Sequence, residues 1–126
     1  MPSIGKLPPQ AVELEEAVLG AIMLERDSLN EVIDLISPDS FYSEKNKNIY
    51  EAIVQLFSEN EPIDILTVTN KLRKIGKLES SGGAFYVTQL TSTVSQSANI
   101  RYHAMIVSEM APKRAAKVVI KIGRLS

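Results

Sequence analysis

Cysteine is absent from this 126-residue chain, and histidine occurs once, at His103. Without thiols there is no disulfide framework, no thiolate zinc site and no cysteine nucleophile. With a single histidine, neither a histidine-rich metal centre nor a histidine-paired nucleophile can be assembled within one chain. His103 follows Tyr102 in a helical pattern and reads as a surface or packing residue rather than a catalytic base. Long apolar runs are missing too. The longest, Ala17 to Leu24, falls short of the roughly 20 residues that span a bilayer. Met1 to Gln10 lacks the apolar centre of a signal peptide. Disulfide-rich secreted and membrane-spanning classes are excluded, no membrane partner is expected, and the cytoplasm is the expected compartment.

What is present suffices for one compact domain, since 44% of the residues are hydrophobic and can bury a core without covalent staples. The net charge of −1 gives no general argument for a nucleic-acid partner. Its distribution says more. Residues 1–109 hold nine Lys/Arg against all fifteen Asp/Glu, a balance of −6, while residues 110–126 hold five Lys/Arg and no acid.

Helical spacing recurs along the chain. After Pro8 and Pro9, the positions Val12, Ala17, Val18, Ala21, Ile22 and Leu24 predict a first helix over about Gln10 to Arg26. Ser28 and Glu31 form a capping-box pattern for a short second helix ending near Ile36. Ser37-Pro38 caps a turn before Phe41 and Tyr42. Ile49, Ile53, Leu56 and Phe57 mark a third helix over Glu44 to Ser58. Asn60-Glu61-Pro62 breaks it, Asp64 caps a helix carrying Ile65, Val68, Leu72 and Ile75, and Gly76 closes that helix. Gly82-Gly83 leads into a helix with Phe85, Tyr86, Val87 and Leu90, with Thr91 to Gln96 as loop. The β-branched and aromatic content of Tyr86 to Thr93 makes a strand the alternative there. A final helical pattern starts near Ser97. The fold class is all-α: a compact globule of about six helices followed by the first helix of an incomplete helical hairpin. The expected organisation is a lead at 1–9, the globule at 10–97, and a C-terminal helix at 98–126 that is basic and amphipathic after Pro112.

No catalytic constellation emerges. A phosphate-binding loop needs Gly, four residues, then Gly-Lys-Ser/Thr. Gly76-Lys77 is followed by Leu78 and preceded by Lys71 where the first glycine should stand, so the match fails at both ends. Glu13, Glu15 and Glu16 sit in the first turns of a helix, where they complement its dipole as a solvated acidic face. Two features point to binding. The helix bearing Lys71, Arg73, Lys74 and Lys77 could serve a small DNA-binding regulator of helix-turn-helix type, although cations in a last turn also stabilise the dipole without DNA. In the tail, Ala115, Val118, Val119, Ile122 and Leu125 share a face opposite Lys113, Lys117, Lys121 and Arg124, which calls for a covering partner.

Ordered words in the chain go beyond pattern. Leu7-Pro8-Pro9 leads into Glu16-Ala17-Val18-Leu19-Gly20. Phe41-Tyr42, Pro62-Ile63-Asp64 with Thr67, and Gly76-Lys77-Leu78-Glu79 follow. Gly82-Gly83, Asn99-Ile100, Tyr102 and Ile106-Val107 complete the series. From about residue 7 to 111 this order resembles the N-terminal domain of the DnaB-type bacterial replicative helicases. The resemblance implies a helical globule followed by a helical hairpin, forming the N-terminal collar of a hexamer, commonly a trimer of dimers, and docking primase in DNA replication. It implies self-association and a possible helicase-loader contact, with weak or absent DNA contact. No cofactor is implied for this chain, because ATP and magnesium belong to a separate RecA-like motor domain of that family, so the chain itself is not expected to be an enzyme. Asp64 would then cap, the glycines turn, Phe41 and Tyr42 pack, and Tyr102 with Ile106 face the neighbouring helix. Self-association or partner contact falls on the helix from Asn99 onward, at Asn99, Tyr102, His103, Ile106 and Met110. Two departures stand out: Lys45-Asn46-Lys47-Asn48, where the family often has a histidine-containing stretch on an exposed face, and Pro112, where it usually runs one long helix.

Overall fold

A computed structural model describes residues 9–25, 27–92 and 99–111. Its six α-helices are α1 (Pro9–Leu24), α2 (Asp27–Val32), α3 (Glu44–Ser58), α4 (Ile65–Lys74), α5 (Gly83–Ser92) and α6 (Ile100–Glu109). Single 3-10 turns occur at Pro38–Ser40 and Glu79–Ser81, and no strand occurs among the described residues. The all-α expectation holds.

The first helix lies at the centre because its second half is apolar on every side. Val18, Leu19, Ala21, Ile22 and Met23 are all buried, so several neighbours are needed to cover them. α5 and α6 pack against α1 most extensively, and α2 and α3 also contact it, while α4 is carried mainly by α3. Each outer helix contributes a stripe: Leu29 and Val32 from α2, Ile49, Ile53 and Leu56 from α3, and Val68 and Leu72 from α4. Val87 and Leu90 come from α5, and Ile100, Ala104 and Val107 from α6. α6 thus belongs to the same core as α1.

Local signals explain most boundaries. Ser43 caps α3, its hydroxyl accepting from the Asn46 amide at 3.4 Å. Asp64 and Thr67 form a reciprocal capping box on α4, with both amide bonds at 2.9 Å. Gly76 turns the chain at φ +76°, as expected. Asn60 ends α3 in the left-handed region at φ +63°, which asparagine tolerates better than most residues.

Other expectations are corrected. α1 stops at Leu24, short of Arg26. Ser28 is not a cap: it is the second residue of α2, buried, and its amide donates to the Glu25 carbonyl at 2.9 Å. α2 ends at Val32 and continues as a turn. The strand alternative for Tyr86 to Thr93 fails where the chain is described, as does the loop reading of Thr91 and Ser92, since α5 runs to Ser92. Val87 and Leu90, three apart, seat one helical face on the core, and that packing overrides β-propensity. Phe41 packs, its ring centroid 5.0 Å from that of Tyr50, but Tyr42 is 48% exposed. Backbone at Phe41 is extended, which sends consecutive side chains to opposite sides. The proposed start of the last helix near Ser97, and the amphipathic tail from Pro112, lie outside the described residues.

Candidate partner-binding face

The residues expected to mediate association come together on the outside of α6. Ile100, Ala104 and Val107, four and three apart, turn one face of α6 into the core. The opposite face carries Tyr102 and Met105, which are 63% and 44% exposed. His103, Ile106 and Met110 are half-buried along its edge, and Asn99 is exposed at its start. Asn99 contributes its carbonyl to the His103 amide at 2.9 Å rather than a side-chain cap. The Tyr102 and His103 rings lie 6.1 Å apart. Tyr102 does not face a helix of the described globule. Glu109, four residues after Met105 and seven after Tyr102, lies on the same exposed face, with Arg101 beside it. Exposed aromatic and methionine side chains on such a face make a surface suited to protein rather than to phosphate.

The basic helix is differently occupied. Lys71 Nζ sits 3.0 Å from Oε1 of Glu59, the residue that caps the end of α3, and Lys77 Nζ sits 3.2 Å from Oε1 of Glu51 within α3. Arg73 donates to Asn70 Oδ1 at 2.8 Å along its own helix. Two of the four cations are therefore spent holding α4 and the following turn to α3. Leu56, Glu59, Glu61, Thr67, Asn70, Lys71 and Lys74 line a shallow depression there, of mixed charge. No group of three His, Asp or Glu placed to hold a metal occurs among the described residues. No helix among them is long and apolar enough to cross a membrane.

Sequence reasoning missed a buried polar chain. Glu15 is 2% exposed, not part of a solvated acidic face, and Asn46 and Asn48 are buried rather than exposed. Glu15 Oε2 accepts the Tyr42 amide at 2.6 Å, and Glu15 Oε1 accepts the Ser43 amide at 3.3 Å and Asn46 Nδ2 at 3.0 Å. The Tyr86 hydroxyl donates to Asn46 Oδ1 at 2.6 Å and lies 3.2 Å from Glu16 Oε2. Lys45 Nζ stands 4.4 Å from the Tyr86 ring centroid. Burial pushes the Glu15 carboxyl above its usual range, against the opposing pull of its three donors. Burial and the neighbouring Glu16 carboxylate likewise push the Tyr86 phenol up. The signal was available: Glu15 stands three residues before Val18, and Asn46 three before Ile49, so each shares a core stripe.

The chain matches the family model of the DnaB-like helicase N-terminal domain over residues 7–109. It is 42% identical to the replicative DNA helicase DnaB of Rhodothermus marinus over 121 residues, covering 95% of this chain and 13% of that protein. It is 42% identical over 104 residues to the replicative DNA helicase DnaC of Bacillus subtilis strain 168, covering 82% of this chain and 23% of that protein. The crystal structure of the N-terminal domain of DnaB helicase from Mycobacterium tuberculosis superposes with a TM-score of 0.80 at 36% identity, covering 94% of this chain and 85% of that one.

Proposed function

Because the chain belongs to the family of DnaB-like helicase N-terminal domains, we propose that it acts as the non-catalytic collar domain of a replicative helicase, assembling with copies of itself and docking primase. The observation that carries the assembly half of this reading is the outer face of α6, where Tyr102 and Met105 stand in solvent on a helix anchored by three buried residues. Family membership is what supports primase docking. A helicase loader would be a further partner on the same grounds. In this reading ATP and magnesium are used by the parts of such helicases that this chain, spanning 13% and 23% of two full-length relatives, does not align with. Within this reading α6 would offer the association surface while its buried face remains part of the globule's core.

The competing function, a DNA-binding regulator acting through Lys71 to Lys77, is disfavoured by the ion pairs that hold Lys71 and Lys77 to α3. Calorimetric titration of the chain with the C-terminal domain of its cognate primase, with duplex DNA as parallel ligand, separates the two. Primase binding is expected to survive Lys71→Ala, Arg73→Ala and Lys74→Ala made together. Binding of duplex DNA that weakens steeply with salt, without binding of primase, would overturn the collar reading.

A further inference from the structure

We propose that the outer face of α6 meets the same face of a second copy antiparallel, about a two-fold axis at Met105, with Arg101 of each copy against Glu109 of the other. This arrangement rests on the collar reading and gives its self-association a register. Arg101, Tyr102, Met105, Ser108 and Glu109 are exposed on α6, while Ile100, Ala104 and Val107 hold the opposite side in the core. His103 aside, Arg101 and Glu109 are the charged residues of the helix. They are opposite in sign, one lies near each end, and each stands four residues from Met105.

Within one chain both charges are badly placed. A cation in the first turn meets the positive end of the helix dipole, and an anion in the last turn meets the negative end. α6 has no acid in its first turn and no base in its last to offset them. Arg101 Nη1 donates to the Glu31 carbonyl at 3.2 Å, which leaves further guanidinium donors free. Glu109 makes no ion pair among the described residues.

An antiparallel copy reverses both effects at once. It brings a carboxylate to the Arg101 guanidinium and a guanidinium to the Glu109 carboxylate, and it sets opposite dipole ends side by side. A two-fold axis makes each of these contacts twice. The register that pairs 101 with 109 also sets Met105 on its own counterpart and brings the Tyr102 ring level with the small side chain of Ser108 in the other copy. A parallel pair in register would set Arg101 on Arg101 and Glu109 on Glu109, like on like. A ten-residue helix is about 15 Å long. One such contact falls short of the area that holds a stable dimer, so the isolated chain is expected to associate weakly and reversibly.

The test uses the intact chain in sedimentation equilibrium over a concentration series. Reversible dimerisation is expected, weakened about fivefold or more by Arg101→Glu or by Glu109→Arg, because each reversal replaces two attractions by two repulsions. A chain carrying both reversals should return to within about twofold of the parent. Each single reversal gives the α6 dipole the charge it favours, so fraying of the helix would not account for the loss. Since the chain has no cysteine, Met105→Cys adds a single thiol at the axis. Under mild oxidation it should give a disulfide-linked dimer faster than Phe85→Cys, placed where the native side chain is 76% exposed on α5. Dimerisation that neither single reversal weakens would overturn this register and leave the collar reading standing. The same holds if Met105→Cys links no faster than Phe85→Cys. A parent chain that stays monomeric throughout would overturn the register and the assembly half of the collar reading together.

Discussion

Tyr50 and Gly82 illustrate how single residues set local terms. The Tyr50 ring is fully buried and its hydroxyl donates to the Ile36 carbonyl at 3.1 Å, tying the start of the 3-10 segment to α3. Burial, with the Asp34 charge nearby, pushes its phenol up to about 12 from the ordinary 10.0. A raised folded value means that the stability Tyr50 contributes is complete below pH 10.0 and is lost as pH rises through about 12. Tyr50→Phe should therefore cost about 1 kcal/mol at neutral pH, and the gap should close on the alkaline side. Denaturant melts at neutral and alkaline pH measure both. Gly82 sits at φ +95°, and a Cβ built there would lie 2.7 Å from the Tyr86 Cβ. Gly82→Ala is expected to destabilise by about 1–3 kcal/mol from backbone strain alone. It should also disturb the Tyr86 hydroxyl contact with Asn46, visible as shifted Asn46 side-chain amide resonances. Gly76, also left-handed, has open space around its missing Cβ, so Gly76→Ala should lack the steric part of that penalty.

Among the elements, α4 is the helix whose integrity depends most plainly on its ends. Val68 and Leu72 are its fully buried apolar positions, so the reciprocal Asp64–Thr67 box at one end and the cations at the other do much to define it. Asp64→Ala should cost about 1 kcal/mol in chemical denaturation, the usual size of a lost N-cap. The α4 cations follow the same logic from the other end. Lys71, Arg73 and Lys74 all lie in the last turn, where they meet the negative end of the dipole, and Lys71 adds an ion pair to Glu59. A basic helix can thus be a structural device, and its composition alone does not distinguish that from a DNA reader.

At the scale of the molecule, packing around α1 decides which surface is left over. α1 is covered by α5 and α6 most extensively, with α2 and α3 completing the shell. The outer stripe of α6 is consequently turned away from the core. Replacing Tyr102 and Met105 together by Ser should leave the melting temperature within a few degrees, since both side chains are exposed. The same change should weaken self-association by roughly tenfold or more if these side chains anchor the contact, measured by sedimentation equilibrium over a concentration series. Unchanged association would move the contact off α6 while leaving family membership untouched.

The sequence by itself determined the all-helical class, the bounds of α3, the Asp64 cap and the Gly76 turn, because each depends on neighbours within one or two helical turns. It also carried the family, through short words in a fixed order between residues 7 and 109. Its misreadings share one physical cause. Ser28 has the chemistry of a cap, Glu15 that of a solvated acid and Asn46 that of an exposed polar face, and all three are buried. Whether a polar side chain faces water depends on what packs over it. For Glu15 and Asn46 the partners come from residues 27 to 31 positions away in one case and 40 in the other. Composition and periodicity cannot encode such distant pairings. The tertiary structure decided them by bringing α1, α3 and α5 together, since only there do the Glu15 carboxylate and the Tyr86 hydroxyl meet at one asparagine.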